Sequence, residues 1–241
     1  FYPTNKIRLP VNKENVIKSG LVKEKDSDLI LDYIDIDLPE SIITKNQIMM
    51  LDILANNNWE RPIYFTGGSY EESEYIWMKD YLQLDGLVYK LVPIKTSIEN
   101  NPYEMGRIDS DLMYDIVKKW SWGNSESDEI YHDPETRKNS ISFRGNLSRL
   151  SEKLISEGEY EKAEEILDLA FSKMPIDYYG YYSLWTPLVK SYYDIGKSEK
   201  VREIVQKLSF KYSDRLSYFS SLEIFNPVSY THLRAHETVA N

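Results

Sequence analysis

The chain has 241 residues and a formal net charge of −10, a length that suits one large domain or two modest ones. With 41% hydrophobic and 28% charged residues it can build a packed core, which excludes a disordered tail. The acidity weighs against nucleic acid as a partner, because phosphate binding draws on clustered Lys and Arg, and the lack of cysteine excludes disulfides and thiolate chemistry.

No apolar run approaches the roughly 18 residues that a membrane helix needs. The chain opens Phe1-Tyr2-Pro3, with neither an initiator Met nor an apolar leader, and reads as the continuation of a longer protein. Pro3, Pro10, Asn12 and Gly20 mark an irregular start with short extended pieces such as Ile7-Arg8-Leu9. Leu29 to Ile36 alternates in part and predicts a short strand or a helix edge, ending at Pro39. Asn46 to Ala55 is apolar on most faces and predicts a buried helix, stopped by left-handed conformations in Asn56-Asn57-Asn58. Pro62 to Thr66 is a β-type run closed by Gly67-Gly68. Leu87 to Ile94 alternates as a strand, with Pro93 placing its end at a sheet edge. Asp109 to Trp120 predicts a helix capped by Asp109 or Ser110, with Leu112, Ile116 and Val117 inward. Ser121 to Asn139 is polar, with Gly and Pro, and marks a domain boundary.

Beyond it the period becomes helical. Leu147, Leu150, Leu154 and Ile155 define one helix, Gly158 breaks it, and Ala163, Ile166, Leu167, Ala170 and Phe171 define a second, stopped by Pro175. The order Leu147, Leu150, Ser151, Leu154, Gly158, Tyr160, Ala163, Leu167, Ala170, Pro175 follows the tetratricopeptide pattern. Short side chains at Ser151, Ala163 and Ala170 let two helices approach closely. A degenerate second copy follows, with Trp185, Leu188, Tyr192 and Gly196 in place of Leu147, Leu150, Leu154 and Gly158, then Val201, Val205 and Leu208. Its surplus length fits a longer turn around Ile176 to Tyr179, and Val201 and Ser213 depart from the pattern. Two repeats bury too little alone, so the pair must lean on the first half or on a capping helix from Tyr212 to Phe225. The expected fold class is an α+β N-terminal domain (1–138) followed by an all-α tetratricopeptide-like helical repeat domain (139–225). Residues 226–241 read as a tail resembling a translated sequencing adapter, so His232 and His236, four apart, are given no metal.

Chemistry-bearing motifs are few. There is no phosphate loop, dinucleotide fingerprint, nucleophile elbow or zinc-protease helix. His132 has no triad partner and reads as a surface residue. The acidic groups Asp26 and Asp28, Asp32, Asp35 and Asp37, and Glu71, Glu72 and Glu74 read as a solvated face without calcium-loop spacing; the rivals are a hard-cation site or acid–base work in a small hydrolase, tested at Asp35 and Asp37. No catalytic residue, metal or cofactor is assigned. Asn58 to Phe65 (NWERPIYF) is the most unusual string. As a binding element, Trp59 and Tyr64 stack on a sugar ring while Glu60 and Arg61 bond its hydroxyls. As a packing element, which is preferred, Trp59 plugs the helix–strand corner and a carboxylate pins Arg61. The aromatic group Tyr178 to Trp185 falls at repeat positions, so packing is preferred for Trp185 too. The concave face of the repeats suits an extended peptide or another domain.

Phe1-Tyr2-Pro3-Thr4, Leu51 to Ala55, Asn58 to Phe65, Asp80 to Leu87, Leu91 to Ile94, Met113-Tyr114-Asp115, Trp122-Gly123-Asn124 and Phe143-Arg144 together resemble the soluble C-terminal part of one bacterial family. It is the domain-of-unknown-function family 2723, multi-spanning membrane glycosyltransferases of the protein O-mannosyltransferase-like, GT-C type. The likeness runs from Phe1 to about Phe225. It implies an N-terminal membrane domain that takes sugar from a lipid-phosphate donor, with its catalytic acid outside this sequence. It further implies a bacterial inner-membrane protein whose soluble region faces the periplasm and binds or scaffolds an acceptor protein or peptide. The alternative is a stand-alone tetratricopeptide interaction module without enzymatic activity.

Overall fold

The computed structural model describes residues 4–38, 42–66, 76–96 and 105–222. Phe1 to Pro3, Pro39, Gly67-Gly68, Glu71, Glu72, Glu74, Ile224, Phe225 and the tail with His232 and His236 lie outside them. Two small antiparallel sheets are followed by a helical region.

The first sheet pairs β1 (Lys6–Pro10) with β2 (Tyr33–Asp37), setting Ile7 opposite Ile36 and Leu9 opposite Ile34. Alternation buries Leu9, Ile34 and Ile36 and turns Arg8 and Asp35 outward, as period two requires. Between them lie α1 (Lys13–Lys18), capped by Asn12, and a 3₁₀ turn at Glu24–Leu29. The extended segment Leu29 to Ile36 thus begins as a turn and becomes a strand only at Tyr33.

α2 (Lys45–Asn57) starts at Thr44, whose N–H donates to Gln47 Oε1 at 2.8 Å, and ends at left-handed Asn58 (φ 48°). The expectation of a buried helix is corrected. Leu54 is buried, but Ile48, Met49 and Ile53 are 56, 57 and 56% exposed. Only one flank of α2 meets the core, and apolar identity alone does not say which.

The second sheet has the order β3 (Tyr64–Thr66), β5 (Val88–Leu91), β4 (Leu82–Asp85), all antiparallel. β5 is therefore central, and Pro93 ends it beyond the ladder rather than at an edge strand. The two sheets are joined where Leu31 N donates to Pro93 O (3.0 Å) and Asp35 N to Tyr81 Oη (3.2 Å).

α3 (Ser110–Val117) is capped by Asp109, which accepts from Leu112 N. Its buried apolar residues are Met113 and Val117; Leu112 and Ile116 are only half-buried, which corrects the expected inward set. α4 (Pro134–Ser156) is capped by Asp133 and starts five residues before the expected boundary. It packs against α5 (Tyr160–Lys173) and α7 (Thr186–Asp194), and α7 against α8 (Ser198–Leu222). Ser151, Ala163 and Ala170 are fully buried, and Ser151 Oγ lies 3.2 Å from Ser191 Oγ, so short side chains do permit the close approach. The chain between α5 and α7 holds α6 (Ile176–Tyr179) and a 3₁₀ turn at Tyr182–Trp185. The capping helix expected from Tyr212 is no separate element. α8 continues unbroken through Ser213 to Leu222, because nothing there repeats the stop that Pro175 gives α5.

One apolar cluster runs through both halves. Polar bonds lock the join: Arg149 donates to the carbonyls of Met105 (2.8 Å) and Gly106 (2.6 Å), and Asn146 to that of Gly86 (2.8 Å). Among the described residues no helix is long and apolar enough to cross a membrane.

Candidate functional site

Asn58 and Trp59 are both left-handed (φ 48° and 61°), which reverses the chain sharply and turns the indole inward. Trp59 is 5% exposed and donates Nε1–H to Pro10 O at 2.8 Å. The void beside it, lined by Leu9, Leu54 and Leu91 among others, is about 10 Å³, room for one water at most. Trp59 therefore plugs the corner between α2 and β3 and offers no face to a sugar. Glu60 and Arg61 are exposed, and Tyr64 is half-exposed on β3. The carboxylate expected to pin Arg61 is not found among the described residues; its carbonyl instead accepts from Asn57 Nδ2 at 2.8 Å. Trp59 and Tyr64 thus do not form a joint stacking platform.

Four of the acidic residues are paired with cations. Asp35 takes a bidentate bond from Arg8 (2.8 and 3.0 Å), which holds its carboxyl below the usual carboxylate range. Asp32 pairs with Lys13, Asp37 with Lys6 and Asp26 with Arg107. Asp35 and Asp37 are thus each engaged by a cation. A different pair, Asp85 and Lys90, which no sequence motif marks, is buried side by side on the second sheet at 2.9 Å, with Gln83 Nε2 donating to Asp85 Oδ1 at 2.8 Å. Tyr64 shares that face, and its phenol is pushed up by burial and by Asp85.

His132 is buried, not superficial. Its ring stacks on Tyr178 (5.2 Å, 8°) and donates Nε2–H to Ser127 O at 2.9 Å, holding the polar segment onto α6. Arg144 is also fully buried, bonded to Ser140 Oγ and to the carbonyls of Ser140, Gly180 and Tyr181, and lies 5.0 Å from the Trp185 ring. Burial pushes its guanidinium down to about 10, which leaves it charged near neutrality. Trp185 is fully buried against Phe171 (4.5 Å), as packing requires.

A roomier concavity lies elsewhere. A cleft of about 400 Å³ opens between the end of α3, the turn Ser121 to Glu126 and α5. Trp120 and Trp122 form its aromatic wall, 5.6 Å apart and inclined at 64°, each braced by Phe143 at 5.2 and 5.5 Å. Gly86 supports Trp120 from behind: a Cβ there would lie 3.1 Å from the indole. Gly123 and Asn124 are both left-handed (φ 55° and 61°) and bend the rim. Glu126, paired with Lys173, and Lys118, paired with Glu165 at 2.8 Å, supply the charges. Lys173 holds the Glu126 carboxyl below the usual range, and Lys118 and Tyr114 do the same for Glu165. None of these residues was singled out for chemistry by sequence. The available signal was the string Trp120-Ser121-Trp122-Gly123-Asn124, two aromatics running into a turn.

Residues 1–112 match the family model described as TMEM260-associated domain 2. This domain is linked to membrane protein O-mannosyltransferase-like proteins. The match covers the two sheets and reaches into α3, leaving the helical region outside it. No curated protein and no solved structure matches the chain.

Proposed function

We propose that the chain is the soluble, non-catalytic region of a membrane-embedded, protein O-mannosyltransferase-like glycosyltransferase of family 2723, and that it binds or scaffolds the acceptor. The observation that carries this reading is the match of residues 1–112 to a domain linked to such membrane proteins. The transfer chemistry belongs to a membrane domain using a lipid-phosphate sugar donor, and the region faces the periplasm across the bacterial inner membrane. Two features support a scaffold. Ion pairs engage Asp32, Asp35 and Asp37, and the helical half is locked onto the sheets by Arg149 and Asn146 as a rigid support. We read α4–α5 and α7–α8 as degenerate tetratricopeptide hairpins, supported by the fully buried Ser151, Ala163 and Ala170. Of the residues read as a binding set, Glu60, Arg61 and Tyr64 are exposed and open to an acceptor.

The test is the gene upstream of Phe1. A reading frame encoding about ten apolar segments of membrane length supports the proposal. A signal peptide leading directly into this region overturns it in favour of a stand-alone interaction module.

A further inference from the structure

We propose that the cleft walled by Trp120 and Trp122 is a binding site for a neutral saccharide. The argument stands on the cleft alone and does not depend on a membrane-enzyme partner. Its volume, about 400 Å³, lies at the small end of the range for ligand pockets, about 300–1,000 Å³, and suits one or two sugar rings.

Three observations converge on that ligand class. The first is aromatic surface: the two half-buried indoles, fixed in place by Phe143, present rigid apolar surface to the cleft, and the C–H face of a pyranose packs on such surface. The second is unspent hydrogen-bonding capacity. The indole N–H of Trp122 and the side-chain amide of Asn124 bond to none of the described residues, whereas the Nε1 edge of Trp120 is turned toward Gly86. One fixed donor plus an amide that both donates and accepts suits the alternating hydroxyls of a sugar. The third is charge. Both lysines of the lining are paired with a carboxylate, Lys173 with Glu126 and Lys118 with Glu165, which weakens their pull on a phosphate or a carboxylate. Glu126 and Lys173, already held in position by each other, remain able to bond hydroxyls at the rim.

The test uses the whole chain labelled with ¹⁵N, reading the indole N–H resonances of its five tryptophans. The probes are methyl α-mannoside, methyl β-glucoside, N-acetylglucosamine and maltose. In parallel arms the chain is titrated with inorganic phosphate and with an unglycosylated Ser/Thr/Pro-rich decapeptide. The expected result is a saturable shift of the Trp120 and Trp122 resonances with at least one saccharide, while those of buried Trp59 and Trp185 stay in place. Asn124→Gly keeps the left-handed turn and removes the amide. It is expected to weaken binding about fivefold, the value of one net hydrogen bond of about 1 kcal/mol, with the other indole resonances unchanged. Trp122→Ala is expected to abolish binding. Absence of a saturable saccharide shift overturns the proposal, as does unchanged affinity in Asn124→Gly. A shift with the peptide alone reassigns the cleft as a peptide groove, and a shift with phosphate alone reassigns it as an anion site.

Discussion

Lys90 Nζ lies 2.9 Å from Asp85 Oδ2, and both side chains are almost completely buried on the second sheet. Each charge is tolerable there only because the other is present. Lys90→Met alone leaves the carboxylate unpaired and is expected to cost about 3–5 kcal/mol in urea unfolding. Adding Asp85→Asn removes the orphaned charge while keeping an acceptor for Gln83, and is expected to recover most of that loss. A double variant as unstable as the single one would show that the pair is not what matters.

The reversal at Asn58-Trp59 makes a second prediction. Asn58→Gly fits φ 48° and is expected to change stability by less than about 0.5 kcal/mol, whereas Asn58→Ala is expected to cost about 1 kcal/mol. Trp59→Phe keeps most of the plug but loses the bond to Pro10 O, for a further cost of about 1 kcal/mol. Chemical denaturation of the three variants checks the order.

Gly86 answers two demands at once. It sits at φ 72° in the turn between β4 and β5, and an added Cβ would meet Ile116 at 3.0 Å and Trp120 at 3.1 Å. Gly86→Ala is expected to destabilise by about 1–3 kcal/mol and to change the near-UV circular dichroism as Trp120 moves. An unaltered aromatic spectrum would separate Gly86 from the cleft wall.

Asp177 gives a pH dependence. Bonds from Lys207 and Lys211 hold its carboxyl below the usual carboxylate range, tying α6 to α8. A carboxyl whose folded value lies below its unfolded one, about 3.9, contributes stability above that pH and loses it as pH falls through the folded value. Wild type is thus expected to exceed Asp177→Asn by up to about 1 kcal/mol near neutrality, because the pair is partly exposed. The gap is expected to close below about pH 4. Thermal melts of both proteins across that interval measure it.

The helices were legible because their apolar residues keep a period of 3.6 against polar neighbours: Leu147, Leu150, Leu154, Ala163, Ile166, Leu167 and Ala170 are all fully buried. β4 was missed because it is only four residues long; the unused signals were the alternation Leu82-Gln83-Leu84-Asp85 and Asp85-Gly86 at the hairpin turn. Burial of His132 depends on Tyr178 and Tyr179, far along the chain, so no local reading of a polar segment reveals it. The cleft was hidden for the same reason. Trp120 and Trp122 are adjacent in sequence, but the opposite wall comes from Leu169 and Lys173 on α5. The string around Trp59 was legible as an oddity, and the packing reading of Trp59 matches its inward position.

Asn146 and Arg149 belong to α4, yet their side chains hold carbonyls at Gly86, Met105 and Gly106. Severing the polypeptide near residue 138 would cut α4 in its first turns and strip those carbonyls of their donors. Each product is therefore expected to be less stable apart than joined, a reason to handle the two halves as one reagent.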